Sequence, residues 1–107
     1  MYDVKHELEI RTRKNMPSWK KSFKYRVQRR MEKEGWTVFP ICDSDIPIDL
    51  LCIRNKEITG IRVKPHGHIY SAERNELIKF GKKLDMRILY VHEVAGHEFN
   101  FVTLYRG

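Results

Sequence analysis

The sequence predicts a single α/β domain, residues 1–107, in which a mixed β-sheet is packed between helices. Three patterns predict it. Apolar residues return at every fourth position between Trp19 and Met31. Three short apolar runs, two of them joined by a tight turn, follow between residues 36 and 64. Helical spacing then returns after residue 70 and gives way to two more strand-like runs.

Taken in order, residues 1–16 are strongly charged and read as a short strand or turn around Leu8–Ile10, or as a charged arm. Pro17-Ser18 opens a helix, with Ser18 as its candidate N-cap. Trp19, Phe23, Val27 and Met31 make its apolar stripe, and Gly35 ends it. Lys21, Lys24, Gln28 and Glu32 are expected away from that stripe, and Arg26 and Arg30 on its flank. WTVFPI (36–41) reads as a strand and CDSDIP (42–47) as a loop. IDLLCI (48–53) and EITGIRVK (57–64) read as a hairpin about Asn55-Lys56. PHGH (65–68) is a loop. YSAERNELIKFGKKL (70–84) sets Ala72, Leu77, Phe80, Gly81 and Leu84 at helical spacing. MRILYVHEV (86–94) and HEFNFVTLY (97–105) read as strands about the Ala95-Gly96 turn, the last at a sheet edge.

Composition narrows the function classes. The chain is 41% hydrophobic and can build a core, and no apolar run approaches the ~20 residues of a membrane span. The charged N-terminus does not read as a signal peptide, so an intracellular, cytoplasmic protein without a membrane partner is expected. Cys42 and Cys52 are expected reduced. The net charge is +7, and residues 11–33 alone carry ten Lys or Arg against Glu32, a block of +9 that leaves the remainder at −2. A block of one sign suits a polyphosphate partner, whereas a merely solvated helix face usually mixes signs. Backbone contacts to nucleic acid are therefore expected from Lys20, Lys21, Lys24, Arg26, Arg29 and Arg30, with Tyr25 as the exposed aromatic among them. Trp19 is a weaker stacking candidate, and the spacing of Phe23 and Trp36 favours the core.

The hairpin register is the sharpest local inference. A two-residue loop at Asn55-Lys56 pairs Arg54 with Glu57 and Ile53 with Ile58, so Asp49 falls opposite Arg62. Arg62 and Lys64 share a face by alternation. An aspartate among Ile48, Leu50 and Leu51 needs a partner, and the guanidinium of Arg62 can hold it with a two-bond fork.

Helix, Gly-aromatic strand, aspartate strand IDLLCI, strand GIRVK and the following helix HIYSAERNELIKFGKKL together resemble the PD-(D/E)xK nuclease superfamily, and within it the archaeal Holliday junction resolvases. The resemblance spans residues 19 to about 92, and it rests on the order and spacing of short, degenerate motifs. It implies a restriction-endonuclease-like αβββαβ core and metal-assisted phosphodiester hydrolysis. In that chemistry an aspartate and a glutamate hold Mg²⁺, a lysine orients the attacking water, and a first-helix glutamate completes the site. Asp49 matches the aspartate and Lys64 the lysine. Arg62 stands where the glutamate should be, and Lys24 falls near the first-helix glutamate.

Two carboxylates have thus become cations. The expectation is a remnant site of Asp49 and Lys64 with Arg62 in place of the acid, no resident metal or cofactor, and a DNA-binding protein for junctions or duplexes that does not cut. His66 joins Arg62 and Lys64 as a phosphate contact, and DNA is favoured over RNA. One alternative is an active endonuclease that uses Mg²⁺ or Mn²⁺, with Asp49 as a ligand and a relocated acid from Asp43, Asp45, Glu73 or Glu76. Another is a non-catalytic partner subunit of a nuclease, and the resemblance also implies a homodimer. The His66-Gly67-His68 pair is weak as a zinc site, because it needs His92 or His97 from the last hairpin.

Overall fold

A computed structural model of the protein describes residues 18–107, with side chains from residue 22 onward except that of residue 97. Residues 1–17, with the charged segment 1–16 and Pro17, and the side chains of Ser18, the candidate N-cap, and of Trp19, Lys20, Lys21 and His97 lie outside the described residues. The elements are α1 (Ser18–Lys33), β1 (Thr37–Pro40), β2 (Leu50–Arg54), β3 (Glu57–Val63), α2 (Ser71–Leu84), β4 (Arg87–Val94), a 3₁₀ turn (Ala95–His97) and β5 (Glu98–Tyr105). Among the described residues no helix is long and apolar enough to cross a membrane.

The sheet order is β1-β2-β3-β4-β5. Three neighbouring pairs are antiparallel, and β3 runs parallel to β4, so the sheet is mixed. The parallel pair follows from α2, which carries the chain from the end of β3 back to the start of β4. Helix α1 covers one face. Phe23, Val27 and Met31 pack there on Val38, Leu50, Cys52, Ile61, Val63, Leu89 and Val91. Helix α2 covers the other, where Leu77 joins Ile48, Met86 and Ile88, with Phe80 and Tyr105 beside them. This is the α/β architecture with helices on both faces expected from the sequence.

Helix α1 stops as predicted at Gly35. With φ at 94°, this residue lets the Trp36 N–H reach the Met31 carbonyl at 3.1 Å while its own N–H bonds Glu32 at 3.0 Å. Gly81 serves a different need. A Cβ there would lie 2.6 Å from Ile88 and 2.9 Å from the Met86 carbonyl, so its absence lets α2 sit close on the sheet.

The helical spacing misjudges four positions. On α2, Ala72 and Leu84 face solvent although they share the apolar spacing, and Leu84 is 53% exposed. On α1, Lys24 and Gln28 are buried, at 3% and 7% exposure, where solvent was expected. On α1 the reason is geometric. Each step of four advances about 40° round a helix. By Met31 the stripe has turned toward the side of Lys24, and the sheet closes over both.

Candidate nucleic-acid interface

The β2–β3 hairpin builds the centre of the site. Its turn places Asn55 at φ 56°, a conformation that asparagine tolerates. The pairs Arg54–Glu57, Ile53–Ile58 and Leu50–Ile61 form in the predicted register, which brings Asp49 level with Arg62. The main chain of Asp49 is held between two neighbours. Its N–H donates to the Ile61 carbonyl, and its carbonyl accepts from Ile41, both at 2.8 Å.

The Asp49 side chain is buried, and one oxygen, Oδ2, accepts the Val63 N–H at 2.8 Å. The other, Oδ1, faces Arg62 Nη1 at 3.6 Å. That is an ion pair and not a hydrogen bond. The two-bond fork expected from Arg62 onto Asp49 is therefore absent. Arg62 divides itself instead, because its Nε donates to Glu73 Oε1 at 2.9 Å. Lys64, two residues on and on the same face, holds the other Glu73 oxygen, Oε2, at 2.8 Å. Glu73 lies in the first turn of α2. Burial pushes its carboxyl upward, but the hydrogen bond from Lys64 and the charge of Arg62 outweigh this and hold it below the ordinary range.

A third cation stands beside this row. Lys24 reaches from α1 past the edge of its helix and donates to the Ile41 carbonyl at 2.7 Å. Ile41 is the residue whose N–H bonds the Asp49 carbonyl. Its apolar stem lies along the core while the ammonium meets a polar group. Lys24 thus leaves the outward-facing set: an ammonium enclosed in this way offers no surface for backbone contact. Among the described residues, Lys24, Arg62 and Lys64 and the carboxylates of Asp49 and Glu73 thus gather about the end of the hairpin.

The outward face of α1 is a separate region. Tyr25 is 53% exposed, as expected of an aromatic off the stripe. Arg29 Nη1 donates to its hydroxyl at 3.0 Å, and the guanidinium lies 5.7 Å from the ring centroid. Arg30 pairs with Glu34 one turn on at 3.1 Å. Arg26 leans toward the sheet, where it pairs with Glu93 on β4 and rests against Phe23 and Phe99 at 5.4 and 5.7 Å, with 41% of its side-chain surface still open.

His66 and His68 are exposed, and His68 meets Tyr70 edge-on at 4.7 Å. A Cβ on Gly67 would lie 3.4 Å from the His92 ring, so this loop does approach β4. His92 Nε2 is already occupied by the side-chain amide of Asn100 at 2.8 Å. Among the described residues no three His, Cys, Asp or Glu side chains gather to hold a metal ion. Asp43 is committed to a local turn, its carboxylate accepting the Asp45 N–H at 2.9 Å. Both cysteines are free, and burial pushes the Cys52 thiol up to about 12.

The role of Glu73 exceeds what the sequence indicated. Its place in the first turn after GIRVK made it one of four candidate acids, and nothing in the spacing showed that it would bridge Arg62 and Lys64.

No family model matches the sequence, and no curated protein matches it. Among solved structures it is similar to the Holliday junction resolvase of Archaeoglobus fulgidus, an archaeal hyperthermophile. The TM-score is 0.70 at 14% identity, over 81% of this chain and 74% of that one. The αβββαβ architecture expected from IDLLCI, GIRVK and their flanking helices is thus the fold of this chain, shared with a solved junction resolvase.

Proposed function

We propose that the protein binds DNA, as junction or duplex, on a nuclease fold whose metal site has been replaced by an internal ion-pair row. One observation carries the reading: Arg62 lies between Asp49 and Glu73, at the position where the resemblance calls for a metal-binding glutamate. Among the described residues the donor set does not fit a divalent ion. Asp49 Oδ2 is taken by the Val63 N–H, and both Glu73 oxygens are taken by cations. A hard dication needs several free oxygens and is repelled by the guanidinium between them.

The likeness to a junction resolvase supports nucleic acid as the partner class, and the basic residues of α1 support contacts to the phosphate backbone. Such contacts give steeply salt-dependent, weakly sequence-specific binding. Preference for DNA over RNA and pairing as a homodimer belong to this reading as inferences from the resemblance.

The test incubates end-labelled four-way junction DNA with the protein in Mg²⁺ and in Mn²⁺, on denaturing and native gels side by side. A shifted native band with no cut strand is expected. Cleavage that disappears in Asp49→Asn would overturn the reading in favour of an active endonuclease. Glu73 is then the first relocated ligand to examine, because it is the acid that faces Asp49 across Arg62.

A further inference from the structure

We infer that the Glu73 carboxylate occupies the seat of a backbone phosphate, and that nucleic acid displaces it on binding. The inference rests on the binding reading above and deepens it. Arg62 Nε and Lys64 Nζ each hold a different oxygen of one carboxylate, at 2.9 and 2.8 Å. A phosphodiester likewise offers two non-bridging oxygens on one centre, and a guanidinium beside an ammonium is a common way to hold it.

The surroundings favour an anion brought from outside. Arg62 and Lys64 keep about a quarter of their side-chain surface open to solvent (25% each), so a strand can reach them. The seat adjoins the start of α2, where Tyr70 at the N-cap makes no side-chain capping bond. The helix therefore adds its partial positive charge to that of the two side chains.

The two carboxylates of the row are not equally replaceable. Asp49 is buried and bonded to the Val63 N–H, so it cannot leave, and it retains Arg62 by the 3.6 Å ion pair. Glu73 hangs from a helix surface at 22% side-chain exposure and can swing outward by rotation of its own side chain. When it leaves, Arg62 stays tethered to Asp49 and Lys64 remains at the end of β3, fixed there by its N–H on the Val91 carbonyl at 2.8 Å. The depressed carboxyl of Glu73 keeps it an anion near neutral pH, and so a competitor for the seat. Intrinsic affinity for phosphate is thereby held back by the chain itself.

Two measurements on wild type and Glu73→Gln decide this: anisotropy titration with labelled four-way junction DNA at fixed salt, and melting in millimolar inorganic phosphate. The expected results are junction binding roughly ten-fold tighter in the variant, and a phosphate-induced rise in Tm that wild type lacks. Lys64→Ala in the variant background should remove that rise. If wild type binds the junction and the variant binds it no better, Glu73 merely orients the two cations and the inference falls while the binding reading stands. A phosphate response in the variant with no junction binding by either protein keeps the seat and removes nucleic acid as its ligand. Neither response overturns both. Should glutamine unfold the chain, Glu73→Asp withdraws the carboxylate by one methylene and carries the same expected direction.

Discussion

The protein holds its cations in two ways. On the outer face of α1, Arg29 and Arg30 are exposed and lean on neighbours four residues away, Tyr25 and Glu34. At the end of the hairpin, Lys24 is buried, Arg62 and Lys64 are partly buried, and all three reach partners from other elements: a carbonyl after β1, an aspartate before β2 and a glutamate on α2. Local partners on an exposed helix are loosely bound and easily exchanged for a phosphate. A distant partner in a buried setting, as at Lys24, ties the fold together and takes up the charge, whereas Arg62 and Lys64 keep a quarter of their side-chain surface open. Charge density along a sequence therefore overstates what a partner can use. Arg26 shows the gradation between the two, since it belongs to the basic helix by sequence and to Glu93 by contact.

This contrast can be broken by measurement. The largest effect should come from Asp49→Ala, which strands the buried Val63 N–H and leaves Arg62 with one fewer counter-charge. A loss of about 3 kcal/mol in urea unfolding is expected, with Asp49→Asn milder because its amide oxygen can still accept. Lys24→Ala should follow, at ~1–3 kcal/mol, as it opens a gap in the core and orphans the Ile41 carbonyl. Its salt dependence of DNA binding should match wild type.

Acid should act more gently. The Glu73 carboxyl is lowered in the fold, so its pairing contributes fully above the ordinary value of 4.5 and is lost as pH falls through the lower folded value. Melting curves from neutral pH downward should show a shallower acid limb in Glu73→Gln. The smallest effect on stability belongs to Arg29→Ala, within about 0.5 kcal/mol. It should instead reduce the slope of log affinity against log salt by roughly one. If Arg29→Ala costs as much stability as Lys24→Ala, the two regions do not differ in kind.

The sequence carried the architecture well because its signals were local. Gly35 ends α1 and Asn55-Lys56 turns the hairpin, and each acts through its own backbone. The register that faces Asp49 with Arg62 followed from that turn alone. The site was legible only as far as the hairpin reached. Glu73 enters from a helix after β3, and its side chain meets Arg62 and Lys64 through packing that no spacing rule encodes. Lys24 was misplaced because a stripe of one residue in four drifts round the helix, and the width of the covering sheet decides which neighbours it takes inside.

The two thiols of this chain give its unfolding a built-in clock. Cys42 lies in a loop with part of its surface open, whereas Cys52 has none, faces the α1 side of the sheet, and holds its proton up to about pH 12. A thiol reagent at neutral pH should therefore modify Cys42 promptly. Cys52 should wait for the sheet to part from α1, so the rate of its labelling reads the opening of the whole core.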